Sequence, residues 1–207
     1  MKLDNMHLNF LSGKNKNMFR KYKYESKKEL NNNYDKLFFN FLCIVNPDKL
    51  NYEYNRIHEK NIKYEMSHEM IDFKYKKIEN VINNLCYEDD INLHTLSALA
   101  SFNNINLIYN NNNIYSVLCD CNNSSRPYFL VNMNKDIYQI CKEKLEKIKS
   151  NCYNVENILK PMYSMTHYKL DDLKEMIDKM KIELEVEKKY KKQELYDKIK
   201  QQLNNDL

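Results

Sequence analysis

Cys119 and Cys121 stand one residue apart, a spacing that can place two thiolates on one metal ion. A tetrahedral zinc site needs two further Cys or His ligands, usually at similar spacing, and none lies nearby in the sequence. Cys141 and Cys152 could approach in space, although no spacing requires it; the other reading is ordinary free thiols. His58 and His68 lie among Glu59, Glu65 and Glu69. The run His68-Glu69-Met70-Ile71-Asp72 has the first half of the zinc-protease pattern and lacks its second His. Both histidines read as surface polar residues, and His94, beside leucines, as a satisfied residue at the core boundary. The remaining chemistry is charge. Lys188, Lys189, Lys191 and Lys192 form a basic cluster near the C-terminus, and Lys21 and Lys23 belong to a basic N-terminal stretch. These six are the candidate nucleic-acid contacts, since phosphate binding draws on local positive charge and counterion release. Glu183, Glu185 and Glu187 stand next to the C-terminal cluster and oppose that role.

Composition narrows the functions further. Gly13 is the sole glycine of 207 residues. Loops that cradle phosphates need several glycines so that backbone amides can approach closely, which excludes a Walker loop or a dinucleotide fingerprint. Asparagine is expected at the left-handed turn positions instead. The net charge of +4 is uneven. Residues 1–30 carry eight Lys or Arg against three acids, residues 31–159 fourteen against sixteen, and residues 160–207 eleven against ten. The basic excess therefore sits in the N-terminal arm, which reads either as a contact for an acidic partner or as a solvated terminus. Six scattered cysteines and a polar start without a signal core suit a reducing compartment rather than secretion. The longest apolar run, residues 37–45, falls far short of a membrane span. No cofactor is implied.

These residues are positioned by a chain that reads in three parts: an arm over 1–33, a core over 34–159 and a two-helix unit over 160–207. Leu37, Phe38, Phe41, Leu42 and Val45 predict a helix ending before Pro47. The tyrosine-rich stretch over 50–64 has no clear period. A longer helix is expected over 65–85, burying Ile71, Tyr75, Ile78, Ile82 and Leu85. Asp89-Asp90 look like the start of a short helix with Leu93, Leu96, Leu99 and Ala100 inside. Residues 105–109 and 114–118 read as a hairpin turned by Asn110 to Asn113, and 128–133 as a third strand. A helix is expected over 135–150, and a possible helix ends at Lys160 before Pro161. Leu170, Leu173, Ile177 and Met180, then Leu195, Tyr196, Ile199 and Leu203, recur at helical spacing. The expected class is α+β: a helical N-terminal half, a small antiparallel sheet of hairpin plus third strand, then helices ending in a two-helix hairpin.

Three resemblances follow. Residues 91–118 resemble the helix-and-hairpin segment of OTU-type cysteine proteases. That family places its nucleophile in an Asp-Gly-x-Cys motif and a His after a later strand. Here Asn40-Phe41-Leu42-Cys43 has no Asp-Gly, and Asn132-Met133-Asn134 after the strand has no His, so the likeness implies an inactive scaffold. Leu170-x-x-Leu173-Lys174, Ile182 and Lys191-Lys192-x-x-Leu195-Tyr196-x-x-Ile199 resemble the SAP and Rho N-terminal helical hairpins. In those motifs the lysines and amides at the second helix face the phosphate backbone. The connector glycine usual there is missing. The order of features from Leu37 through Ile91-Asn92-Leu93-His94, Ile105 to Tyr109, Lys160-Pro161 and Tyr168-Lys169-Leu170 resembles an uncharacterised family of nucleocytoplasmic large DNA viruses. That likeness implies a viral-factory or virion setting in the host cytoplasm and no reaction. A protein of an AT-rich protist genome is the competing origin.

The sequence thus supports, first, a non-enzymatic structural or assembly protein with protein partners. A nucleic-acid-binding accessory protein comes second, and an OTU-like scaffold third. It leaves the oligomeric state open.

Overall fold

In a computed structural model of the chain, residues 34–50, 54–121, 126–185 and 189–207 are described. The expected arm over 1–33, with Lys21 and Lys23, and Lys188 of the connector lie outside them. Among the described residues seven α-helices surround a five-stranded sheet, and the chain is α+β, ending in helices. No described helix is long and apolar enough to cross a membrane.

Helix α1, Lys36–Val45, forms where the apolar run predicts it and stops ahead of Pro47, which opens a single 3-10 turn. Its start is fixed by Asp35, whose carboxylate accepts from the amides of Leu37 and Phe38 at 3.0 and 3.1 Å. Helix α2, Arg56–Glu69, is capped by Asn55. Helix α3 covers Ile78–Tyr87. The single helix expected over 65–85 is therefore two. Phe73 and Tyr75 give the reason. Their rings stack 6.1 Å apart, and both reach the helix over Leu93–Phe102, Phe73 against Phe102 and Tyr75 against His94. Residues two apart on a helix point to different sides, so the chain must unwind over 70–77 to bring both inward. Ile71, expected in the core, is exposed instead. The buried face of α2 carries Glu59, Ile62, Lys63, Met66 and Ser67, a stripe interrupted by two charges.

Those charges are satisfied together. The Lys63 ammonium donates to Asp35 Oδ2 at 2.8 Å and to the Asp89 carbonyl at 2.8 Å, and lies 3.3 Å from Glu59 Oε1. Asp35 Oδ2 also accepts from the Ile91 amide at 2.6 Å. Glu59 accepts from the Asp35 amide, the Tyr54 hydroxyl and the Arg56 guanidinium. Arg56 reaches on to Asp89 at 2.6 Å. Asp89 and Asp90 thus hold Arg56 and Lys135 rather than starting a helix. The N-cap of α4, Leu93–Phe102, is Asn92, three residues later than Asp89.

The strands are β1 Asn106–Asn111, β2 Ile114–Cys119, β3 Tyr128–Val131, β4 Ile137–Ile140 and β5 Tyr153–Asn154, in the order β4-β3-β1-β2-β5. The hairpin β1–β2 is as expected. The sheet, however, is larger than hairpin plus third strand and is mixed, since β3 runs parallel to β1 and β5 parallel to β2. The helix expected over 135–150 is divided. Residues 137–140 form the edge strand β4, and helix α5 spans Lys142–Asn151. A turn at 132–135, closed by the Lys135 amide on the Asn132 carbonyl, sends the chain back along β3. Helices α1–α4 cover one face of the sheet at Leu107, Tyr109 and Val131, and α5 covers the other at Ile108, Leu130 and Ile140. A strand buried on both faces reads as a continuous apolar run, which explains Ile105 to Tyr109.

The chain closes with a 3-10 turn Met165–His167, helix α6 Leu170–Met180 and helix α7 Lys192–Asp206. No helix precedes Pro161; residues 157–160 make a turn. Leu173, Met176, Ile177, Met180, Leu195, Ile199 and Leu203 are buried together with Ile114 and Val155, so the unit packs on the sheet as well as on itself. Leu170 is exposed, contrary to its place in the expected stripe. The hairpin asparagines make the polar half of this contact. Asn113 donates to the Met180 carbonyl at the end of α6, at 3.1 Å. Asn111 and Tyr109 donate to the Asp206 carbonyl at the end of α7, at 2.9 and 2.5 Å. Asn112 meets the Asp206 carboxylate at 2.8 Å. Left-handed backbone falls on Asn104 and Asn112 but equally on Lys77, Lys135 and Lys181, so asparagine takes only part of the expected duty.

Replacing Lys63 with methionine leaves the buried Asp35 carboxylate without its cation and Glu59 with Arg56 alone, which is expected to lower the stability to urea by about 3 kcal/mol or more. Lys60→Met, at an exposed ion pair with Asp89, is expected to leave the urea midpoint in place.

Candidate functional site

Of the six lysines singled out from the sequence, Lys189, Lys191 and Lys192 are described, at and just before the start of α7. Lys189 and Lys191 are exposed and Lys192 is half-buried. The helix start they flank is already occupied. The Lys191 amide donates to Glu194 Oε2 at 2.7 Å, so the chain's own carboxylate sits where a phosphate oxygen would go. The start of α6 is closed the same way, by the Lys169 amide on Asp172 at 2.6 Å.

A second basic place arises only in the fold. Where the two-helix unit meets β5 and the end of α5, a cleft of about 640 Å³ opens. Lys149 enters it from α5, Lys160 from the loop after β5, and Lys179 from α6. Lys149 and Lys179 also touch Glu146 and Glu175 on their own helices, at 3.8 and 2.8 Å. Glu156 is the one carboxylate on the lining. The walls are aromatic. Tyr163 and His167 lie tilted against each other with centroids 4.6 Å apart, and Lys160 lies 5.5 Å from the centre of the Tyr163 ring. Tyr163 is held by its backbone at both ends: its amide donates to the Tyr168 hydroxyl at 3.0 Å, and its carbonyl accepts from Tyr196 at 2.8 Å. The residue is nevertheless 48% exposed. On the floor, burial pushes the Tyr153 hydroxyl up to about 12, with Tyr168, Glu156 and Glu175 adding to the effect, so it stays a hydrogen-bond donor throughout the physiological range.

A smaller pocket of about 340 Å³ lies beside α4 and β2. His94 lines it and is 8% exposed. Its Nε2 has no hydrogen-bond partner among the described residues, so the expected satisfied boundary histidine is instead buried with one nitrogen unmet. Burial pulls its proton affinity below the ordinary value of 6.5; the Lys76 carbonyl opposes this, and the charges of Lys77 and Lys76 reinforce it. Ser97 beside it donates to the Leu118 carbonyl and accepts from Tyr75 at 2.7 Å. Both hydroxyls are thereby committed to the core. Of the thiols, Cys141 is exposed and the other five are half-buried. Burial pushes Cys43 up to about 12, which leaves almost no thiolate at neutral pH. The Cys119 and Cys121 sulfurs lie 3.7 Å apart, and no third metal-ligating side chain joins them among the described residues. His58 contacts the Lys49 carbonyl, and His68 meets the Tyr64 ring edge to face.

No protein-family model, curated protein or solved structure matches the chain. Its site therefore rests on its own geometry.

The cleft is not legible in the sequence. Tyr163, His167 and Tyr168 beside Lys160 are a visible aromatic and basic run. Their meeting with Lys149 and Lys179 depends on the short strand β5 and on the asparagine turn, neither of which has a periodic signal.

His94 gives the site region a pH signature. Its folded-state affinity for a proton is lowered, so the unfolded chain binds the proton more tightly and stability falls as pH drops below 6.5. The urea midpoint should decline between about pH 7 and pH 5, and His94→Gln should flatten that part of the curve. An unchanged slope in the variant would assign the decline to other groups.

Proposed function

We propose that the chain is a non-enzymatic structural or assembly protein of a nucleocytoplasmic large DNA virus, working in the viral factory or the virion by binding other proteins. One observation carries the interaction part of this reading. Ile57 and Tyr64 on α2, and Ile71 just after it, recur every seven residues and are 75%, 57% and 54% exposed. The opposite face of α2 is the one buried on the core. Ile57 and Tyr64 lie two turns apart on one side of α2 and give another helix an apolar surface to pack on, and a monomer gains nothing from presenting them to water. Tyr87, at the end of α3, is exposed as well. The viral setting rests on the resemblance of the order of features over 35–204.

The alternative, a nucleic-acid accessory protein using Lys188, Lys189, Lys191 and Lys192 with Lys21 and Lys23, is supported by the exposure of Lys189 and Lys191. Glu194 at the helix start weighs against it.

Two measurements test the proposal. Proteomics of purified particles and of assembly complexes should contain the chain; absence from both overturns the assembly reading. Ile57→Asp with Tyr64→Asp should keep the melting temperature within a few degrees, because both side chains are exposed. It should reduce co-sedimentation with particles by about tenfold or more. Full retention of the double variant would remove the stripe from the interface.

A further inference from the structure

We propose that the cleft between α5, β5 and the two-helix unit binds single-stranded nucleic acid. This goes beyond the assembly reading and uses none of the lysines at the start of α7.

The first argument is convergence. Lys149, Lys160 and Lys179 come from three separate elements and share one cleft; Glu156 is the carboxylate on its lining, and Glu146 and Glu175 pair with Lys149 and Lys179. The contacts of Lys149 and Lys179 with Glu146 and Glu175 are ion pairs on helix surfaces three and four residues apart. Such pairs are weak and salt-sensitive, so the ammonium groups turn to a polyanion at little loss. A strand crossing the cleft would release about three counterions.

The second argument is the prepared ring. Tyr163 has both backbone polar groups tied to Tyr168 and Tyr196, yet its side chain is half exposed, with the tilted His167 ring and Lys160 beside it. An aromatic face held in place beside lysines is what an unpaired base stacks on, and little conformational freedom is lost when it does. A duplex hides its base faces and an acidic peptide has none, so the aromatic wall selects a single strand over both. Glu156 repels phosphate and is placed to accept from a base amino group instead. The volume of about 640 Å³ is within the range that takes a nucleotide-sized group.

The test is fluorescence anisotropy of the full chain with a labelled oligothymidylate of about 12 nucleotides. Three phosphate contacts predict a salt slope of about −2, hence about twentyfold weaker binding at about 200 mM than at about 50 mM salt. Lys160→Glu and Lys179→Glu should each weaken binding about tenfold and reduce the slope. Tyr163→Ala should weaken it about tenfold with the slope unchanged, a separation that general loss of structure would not give. Lys191→Glu with Lys192→Glu should have no effect. The proposal is overturned if no binding occurs at low salt, or if a duplex or polyglutamate competes as well as the single strand. It is overturned equally if only the Lys191 and Lys192 changes matter, which would favour the helix-start site instead. Each result leaves the particle experiment untouched, so the two readings fail separately.

Discussion

Two helices end on one β-turn, and the C-terminal third of the molecule depends on that contact. The last carbonyls of any helix lack partners within it. Here they are met by side chains of the hairpin: Asn113 on Met180, Asn111 and Tyr109 on Asp206. Asn112 adds a bond to the Asp206 carboxylate, which Gln202 supports from the same helix. Because the turn presents three successive amide donors, it fixes both helices at once, and the apolar contacts of Ile114 and Val155 close behind it. The docked position of α6 brings Lys179 opposite Lys149 and sets the Tyr163 loop beside β5. The basic cleft is a product of this one contact.

The N-terminal layer is organised around a buried cation rather than an apolar seam. Lys63 and Asp35 are both fully buried, and Asp35 connects α1, α2 and the approach to α4. Burying charges is unfavourable unless every group is paired, and here each has several partners. The arrangement fixes the angle between helices that leucines alone would leave adjustable. It also turns the opposite face of α2 outward, which exposes Ile57 and Tyr64.

How much was legible follows from which signals are local. Helix α1, the hairpin β1–β2 and strand β3 were visible because their apolar periods and breakers lie within a few residues. The end of α2 was not, since its buried face includes Glu59 and Lys63, and an apolar stripe drawn through Ile71 and Tyr75 suggested a continuous helix. Ile137 and Ile140, within the helix expected over 135–150, are buried on an edge strand; their spacing fits a helical face too, and only the partner β3 decides. The asparagines are legible as turn residues for their backbone. Their role as side-chain donors to distant helix ends involves separations of nearly a hundred residues and leaves no mark in the local pattern. The candidate lysines were found where lysines are dense in sequence, whereas the cleft assembles isolated ones.

The central claim is that the two-helix unit and the sheet form one cooperative body joined at the asparagine turn. Hydrogen exchange of the native chain tests it most directly. Amides of α6 and α7 should open with the same free energy as those of β1 and β2, and an Asn113→Ala, Asn111→Ala variant should lower the protection of α6 and α7 first. Helices that already exchange independently of the sheet in the unaltered chain would contradict the claim.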